Sequence, residues 1–226
     1  MLMEDQILSD EALSKIEAVW SDEVSLKKMQ ENWTEFEKWC GKLRTEQQAP
    51  VKEMLAHFEE RAFIAPASSR FEFHNAFPGG FIDHSLRVMK YTVKLTEAWK
   101  VHVDPATLIM ATLFHDWGKI GTKENEYYIP EESDWHRKRG KIYNKNPRVK
   151  LSNAQLGLFV LSQFGVPLNE EEYCAILLND GQYIEANREY GMKEPRLALV
   201  THMADRWSSQ CEKSRKSLLE PAIPKF

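Results

Sequence analysis

The most constraining stretch of this chain is a helix that has no polar face until it ends in two ligand-type residues. Asp104-Pro105 marks a helix start, with Pro in the first turn. Leu108, Ile109, Ala111, Leu113 and Phe114 then make the helix apolar nearly all round, up to His115-Asp116. A helix of that kind is buried, and it carries the imidazole and carboxylate at its end into the interior with it. Burying such groups costs several kcal/mol unless a cation or a full set of hydrogen bonds compensates. His84 upstream and Asp205 near the end add a second imidazole and a second carboxylate. A divalent metal is the simplest compensation for all four. Adjacent His115 and Asp116 can face one ion only where the helix is ending, and Gly118 and Gly121 are read as that ending.

Composition sets the frame for this reading. With 226 residues, 42% hydrophobic and 28% charged, the chain fits one sizeable globular domain or one domain with a helical extension, and is not of a disordered or collagen-like class. No apolar run approaches the roughly 20 residues that span a bilayer, so no membrane association is expected. The N-terminus carries Glu4 and Asp5 where a secretory signal has basic residues. The expected location is therefore cytoplasmic, the host cytoplasm if the protein is viral. Cys40, Cys174 and Cys211 are odd in number and include no Cys-x-x-Cys pair, which predicts reduced thiols used mainly in packing. A net charge of -4 gives no general attraction for nucleic acid, so a polyanion needs a local basic patch.

Helical spacing recurs along the chain. It predicts helices near 10–20, 22–43, 50–63, 81–99 and 105–114, then 152–164, 169–179 and 195–211. The aromatic-rich, Gly-containing segment 71–80 reads as a turn into the helix that holds His84. Residues 122–150 show little periodicity, and a connection of that length in a compact domain marks a binding or lid segment. Strand signals are weak, with one short hairpin near Tyr127–Ile129. The predicted class is all-α. The predicted organisation is an N-terminal helical extension (1–65), a main helical domain (66–216) and a tail (217–226).

The strings Phe-His-Asn-Ala-Phe-Pro-Gly-Gly-Phe-Ile-Asp-His-Ser and Leu-Phe-His-Asp-Trp-Gly-Lys, with His84, His115-Asp116 and Asp205 in that order, resemble the HD-domain metal-dependent phosphohydrolase superfamily. The likeness covers roughly residues 71–211. It extends to bacteriophage-type HD proteins and, more distantly, to the HD domain of bacterial 3'-to-5' exoribonucleases, although no trace of their OB-fold is seen. The resemblance implies an HD-type helical bundle and a metal held by His84, His115, Asp116 and Asp205. This donor set suits one divalent ion, Mn, Fe, Co, Ni, Zn or Mg. Two departures matter. Single-metal HD nucleotidases often have a Glu where this chain has Lys119, and binuclear HD enzymes carry further histidines where it has Asn153 and Asn179. Between Asp116 and Asp205 the only histidines are His136 and His202, the latter one turn before Asp205, so one metal is expected.

The substrate side is read from charge. Between His136 and Lys150 lie Arg137, Lys138, Arg139, Lys141, Lys145, Arg148 and Lys150, with no acid. Such a block is either a solvated loop or a lid that neutralises phosphates. Tyr127, Tyr128, Trp135 and Tyr143 are either core residues or stacking platforms. Arg87 follows His84 on one helix face, Asp180 lies in a polar break, and His74 serves either packing or substrate. His202, one turn before Asp205, is read as a supporting partner of the site. His57 and His102 are read as ordinary histidines.

The expected catalytic residues are Asp116 and Lys119, and the expected substrate contacts are Arg87, His136, Arg137, Lys138, Arg139 and Asp180. The expected activity is hydrolysis of a nucleotide phosphoester or phosphoanhydride, with a nucleotide or other phosphorylated small molecule as partner. The alternatives are a phosphodiesterase or 3'-end nuclease on a cyclic nucleotide or single-stranded nucleic acid, and a non-catalytic nucleotide-sensing or partner-binding protein. The role of the N-terminal helices and the oligomeric state stay open.

Overall fold

The apolar run forms α5 (Pro105–Phe114), in which every residue from Thr107 onward is buried. Its start is fixed by Asp104, whose side chain accepts a hydrogen bond from the Thr107 N–H at 2.9 Å. The computed structural model describes residues 7–223. In chain order α5 is preceded by α1 (Asp10–Trp20), α2 (Glu23–Cys40), α3 (Thr45–Ile64) and α4 (Gly80–Trp99). After a 3-10 turn over Trp117–Ile120 come β1 (Tyr128–Pro130), α6 (Asp134–Lys138) and β2 (Tyr143–Lys145). The chain then forms α7 (Asn153–Gln163), α8 (Glu170–Leu177), two 3-10 turns within 181–190, and α9 (Arg196–Glu212). The two-stranded ribbon, antiparallel with Tyr128 opposite Lys145, leaves the class all-α, an HD-type helical bundle.

One core joins most of these helices. Trp33 and Phe36 of α2 and Met54 and Phe58 of α3 pack in the same cluster as Phe81, Phe114, Trp117, Leu161, Ile176 and Leu197. The helices α2 and α3 thus share the core of the helices that hold the site, whereas Leu13 of α1 packs in a smaller cluster with Phe71, Ala76 and Ile142. Beyond α9, Leu218 is buried against Met29 and Phe77, and Arg215 is buried in hydrogen bonds to Asp83 and Asn75. Among the described residues no helix is long and apolar enough to cross a membrane.

Two local expectations change. The third helix starts a turn before Pro50, at Thr45, although Pro50 then sits in its interior without an N–H to donate. The extra turn is held by Gln47, fully buried, whose amide donates to Pro167 O at 2.9 Å and to the Glu172 carboxylate. The end of α5 also differs in cause: the helix stops at Phe114, and Gly118 lies in the 3-10 turn that follows. Gly118 is needed for close approach, since a Cβ there would lie 2.1 Å from Asn153 O of α7. That contact presses the turn carrying Asp116 against α7.

Candidate metal centre

Three helices bring the four predicted ligands together. His84 comes from α4, His115 and Asp116 from the end of α5, and Asp205 from α9. His84 Nε2 lies 3.1 Å from Asp205 Oδ1 and 3.8 Å from Asp116 Oδ2. His115 Nε2 lies 3.4 Å from Asp116 Oδ2 and 3.9 Å from Asp205 Oδ1. Both imidazoles are 0% exposed.

The outer nitrogens fix the tautomers. His115 Nδ1 donates to Thr112 O at 2.7 Å, and His84 Nδ1 donates to Glu212 Oε2 at 2.8 Å. In the neutral rings this leaves both Nε2 lone pairs facing the carboxylates. Both Nε2 atoms are buried without a hydrogen-bond partner among the described residues. Two orphaned imidazole nitrogens beside two carboxylates fit a divalent ion, and His84, His115 and Asp205 form a group that could hold one.

Charge in the cluster follows from this crowding. Burial opposes the His84 imidazolium, but Glu212 and Asp205 outweigh it and raise its pKa to about 10. Burial pushes Asp205 up, and His84 and His115 overcome that to bring it to about 2. Asp116 is likewise held well below the usual range, against burial, by Lys119 and the two histidines. Lys119 Nζ is 2.5 Å from Asp116 Oδ2, which keeps this buried ammonium charged. Without a metal, protons and Lys119 balance the carboxylates, so an entering ion competes with a proton on His84.

Glu212, not singled out from the sequence, is the main support behind His84. It is fully buried, accepts from Ser208 Oγ at 2.6 Å, and has Arg87 Nε 3.0 Å away. Its signal was its spacing, two helical turns after Asp205 on the same helix. Arg87 faces the same way: it donates to both oxygens of Asp83 and braces His84 from behind. His74 is a second omission from the expected ligands. Its ring centroid is 4.7 Å from that of His84, its Nε2 is buried and unpartnered, and it forms a ligand-type group with His84 and Asp116. Burial, then the charge of Lys119, keeps it well below the usual imidazole range.

A cleft of about 420 Å³ adjoins the cluster, lined by His74, Lys119, Tyr128, Lys145, Asn153, Arg206 and Lys213 among others. A second groove of about 700 Å³ shares Lys119 and Tyr128 and adds Tyr127, Tyr143 and residues of α3 such as Glu60 and Ile64. The tyrosines of the ribbon therefore line cavities.

The predicted basic contacts are distributed differently. Arg137 pairs with Glu17 and Lys138 with Asp10, which ties α6 to α1. Arg139 stacks on Trp135, and His136 lies 3.3 Å from Glu131. Of the basic run, Lys145 is the residue that reaches the 420 Å³ cleft. Asp180 sits beside the cluster, where burial and then the charge of Asp116 raise its pKa. His202 donates through Nδ1 to Asn179 O at 2.6 Å, and Asn179 Nδ2 donates to His115 O at 2.9 Å. It thus acts on the site through Asn179, as a supporting partner.

A family model described as HD domain matches residues 81–209, more than half of the chain, and the protein belongs to the HD domain family. Members of that family are in general metal-dependent phosphohydrolases. No curated protein and no solved structure matches the chain, so the finer likeness to phage proteins and exoribonucleases stays one of sequence strings.

Proposed function

We propose that the protein is a single-metal phosphohydrolase acting on nucleotide phosphoesters or phosphoanhydrides. The observation that carries this reading is the pair of buried, unpartnered Nε2 atoms of His84 and His115 facing two carboxylates beside a cationic cleft. His84, His115, Asp116 and Asp205 would hold the ion. When bound, a divalent ion acidifies water and polarises a phosphoryl oxygen. Asp116 orients the attacking water, and Lys119, fixed by Asp116, faces the charge that develops on the phosphoryl oxygens. Lys145, Arg206 and Lys213, which line the cleft with Lys119, attract the phosphates.

A second reading changes the substrate to a single-stranded nucleic-acid end. Besides Lys119, the cations of the cleft come from β2 (Lys145) and from the end of α9 (Arg206 and Lys213), a spread that suits a run of phosphates.

The test is phosphate release from ribo- and deoxyribonucleotides, cyclic nucleotides and short single strands, with Mn, Mg, Co, Ni or Zn. Metal-dependent release that disappears in Asp116→Ala is the expected result. Binding that falls steeply with salt would favour the nucleic-acid substrate. Metal-loaded protein that turns over no substrate would replace the hydrolase with a sensing or binding role.

A further inference from the structure

We propose that His74 is a fifth protein ligand of the same metal ion. This rests on the metal-centre reading above and extends it to a residue that precedes the 81–209 family match. Two ligand-type groups occur here, His74–His84–Asp116 and His84–His115–Asp205, and His84 belongs to both. His84 has one nitrogen to give, because its Nδ1 is committed to Glu212 at 2.8 Å. One lone pair serves one ion, so the two groups describe a single centre and not a pair of metals.

The chain holds His74 in place from both sides. Its backbone forms an antiparallel bridge with Lys213, and the next N–H, of Ser214, donates to Phe73 O at 2.8 Å. Asn75, fully buried at φ +47, turns the chain toward α4 while its side chain donates to Asp83 and Gly80. Nothing in this arrangement satisfies His74 Nε2. A buried imidazole nitrogen without a partner, near two metal-type side chains, is suited to ligation.

The chemical consequence concerns which ion is bound. Three imidazoles and two carboxylates exceed the four donors of a tetrahedral zinc site and leave one position of an octahedron for water or substrate oxygen. So many nitrogen donors also disfavour Mg, which prefers oxygen. The centre is therefore matched to six-coordinate Mn, Fe, Co or Ni.

The experiment titrates Co(II) into the full-length metal-free chain, following heat and visible absorption, with no substrate present. Wild type is expected to bind one Co(II) per chain, with the weak bands of a five- or six-coordinate ion. His74→Gln, which keeps polarity and approximate volume, and His74→Ala are each expected to lose at least about tenfold in affinity. Their bands are expected to intensify as the coordination number falls, while metal-free thermal unfolding stays at the wild-type value. Wild-type affinity and spectrum in both variants would overturn the proposal, and so would binding of two ions. Loss of affinity matched by an equal loss of metal-free stability in both variants would also count against it. No Co(II) binding by wild type would remove the metal centre altogether. Binding lost in Asp205→Asn but intact in His74→Gln would remove only the role of His74.

Discussion

Where α3 meets α8, Glu172 is fully buried and both of its carboxylate oxygens are satisfied. Arg44 donates to each, Gln47 donates to each, and the Asn169 N–H donates to Oε2 at 2.9 Å. Where α4, α5 and α9 meet, His84 and His115 are as deeply buried, and each keeps one ring nitrogen without a partner. Both clusters bury charge in one fold, so burial of charge by itself does not mark a functional site. What separates them is completeness. The closed cluster locks two helices, whereas the open one keeps donor atoms for something the chain does not supply.

The contrast is most directly strained by opening the closed cluster. Glu172→Ala leaves Arg44 and Gln47 facing a cavity and is expected to destabilise the fold by about 3 kcal/mol. Chemical denaturation of the metal-free and metal-loaded forms measures this loss. The number of metal ions bound per chain is expected to stay the same, because Glu172 lies outside the ligand set. A change in metal stoichiometry would mean that the two clusters are not independent.

A smaller effect is expected at the support of the open cluster. Glu212→Gln keeps the packing but weakens the acceptor that orients His84, and is expected to reduce metal affinity by about 10- to 100-fold. Calorimetric titration measures the affinity, and thermal unfolding of the metal-free form shows whether packing is preserved. Solution pH sharpens the same point. His84 has a folded-state pKa of about 10 against the ordinary 6.5, so its contribution to stability is complete below pH 6.5 and is lost as pH rises through 10. The metal-free protein is thus expected to lose unfolding temperature across that range. The metal-loaded protein is expected not to show this loss, because the ion replaces the proton. Identical pH profiles for the two forms would contradict ligation by His84.

The open cluster was legible in the sequence because its signal is local. An all-apolar helix ending in His115-Asp116 exposes a physical conflict within ten residues, and His84 and Asp205 sit on helices of clear periodicity. The all-α class followed from the same periodicity, and the HD-type bundle from the resemblance of the two motif strings. The closed cluster was not legible, since Gln47 and Glu172 are separated by 125 positions and nothing near Thr45 announces that a helix begins there. Glu212 was missed, and His74 was read only as packing or substrate, for a related reason: each acquires its meaning only from what the fold places beside it. The cations of the cleft show the limit most plainly. Lys145 comes from β2, and Arg206 and Lys213 from α9 and its C-cap far along the chain, while a count of charges over 137–150 does not say which side chains turn toward the site.

The orientation of that basic run supports the smallest prediction. Arg137 and Lys138 reach across to Glu17 and Asp10 of α1, and the Leu8 N–H donates to Lys138 O at 2.7 Å in the same contact. These side chains are partly exposed, and ion pairs of that kind contribute about 0.2–1 kcal/mol each. Arg137→Ala is therefore expected to change stability by no more than about 1 kcal/mol. Phosphate release is expected to stay at the wild-type level, whereas Lys145→Ala is expected to raise KM through lost attraction for phosphate. Steady-state kinetics on the two variants side by side checks the assignment. A KM increase in Arg137→Ala as large as in Lys145→Ala would mean that α6 leaves α1 when substrate binds. In that case the contacts with α1 would belong to the resting form of a lid, and the basic run would act on the substrate as a unit.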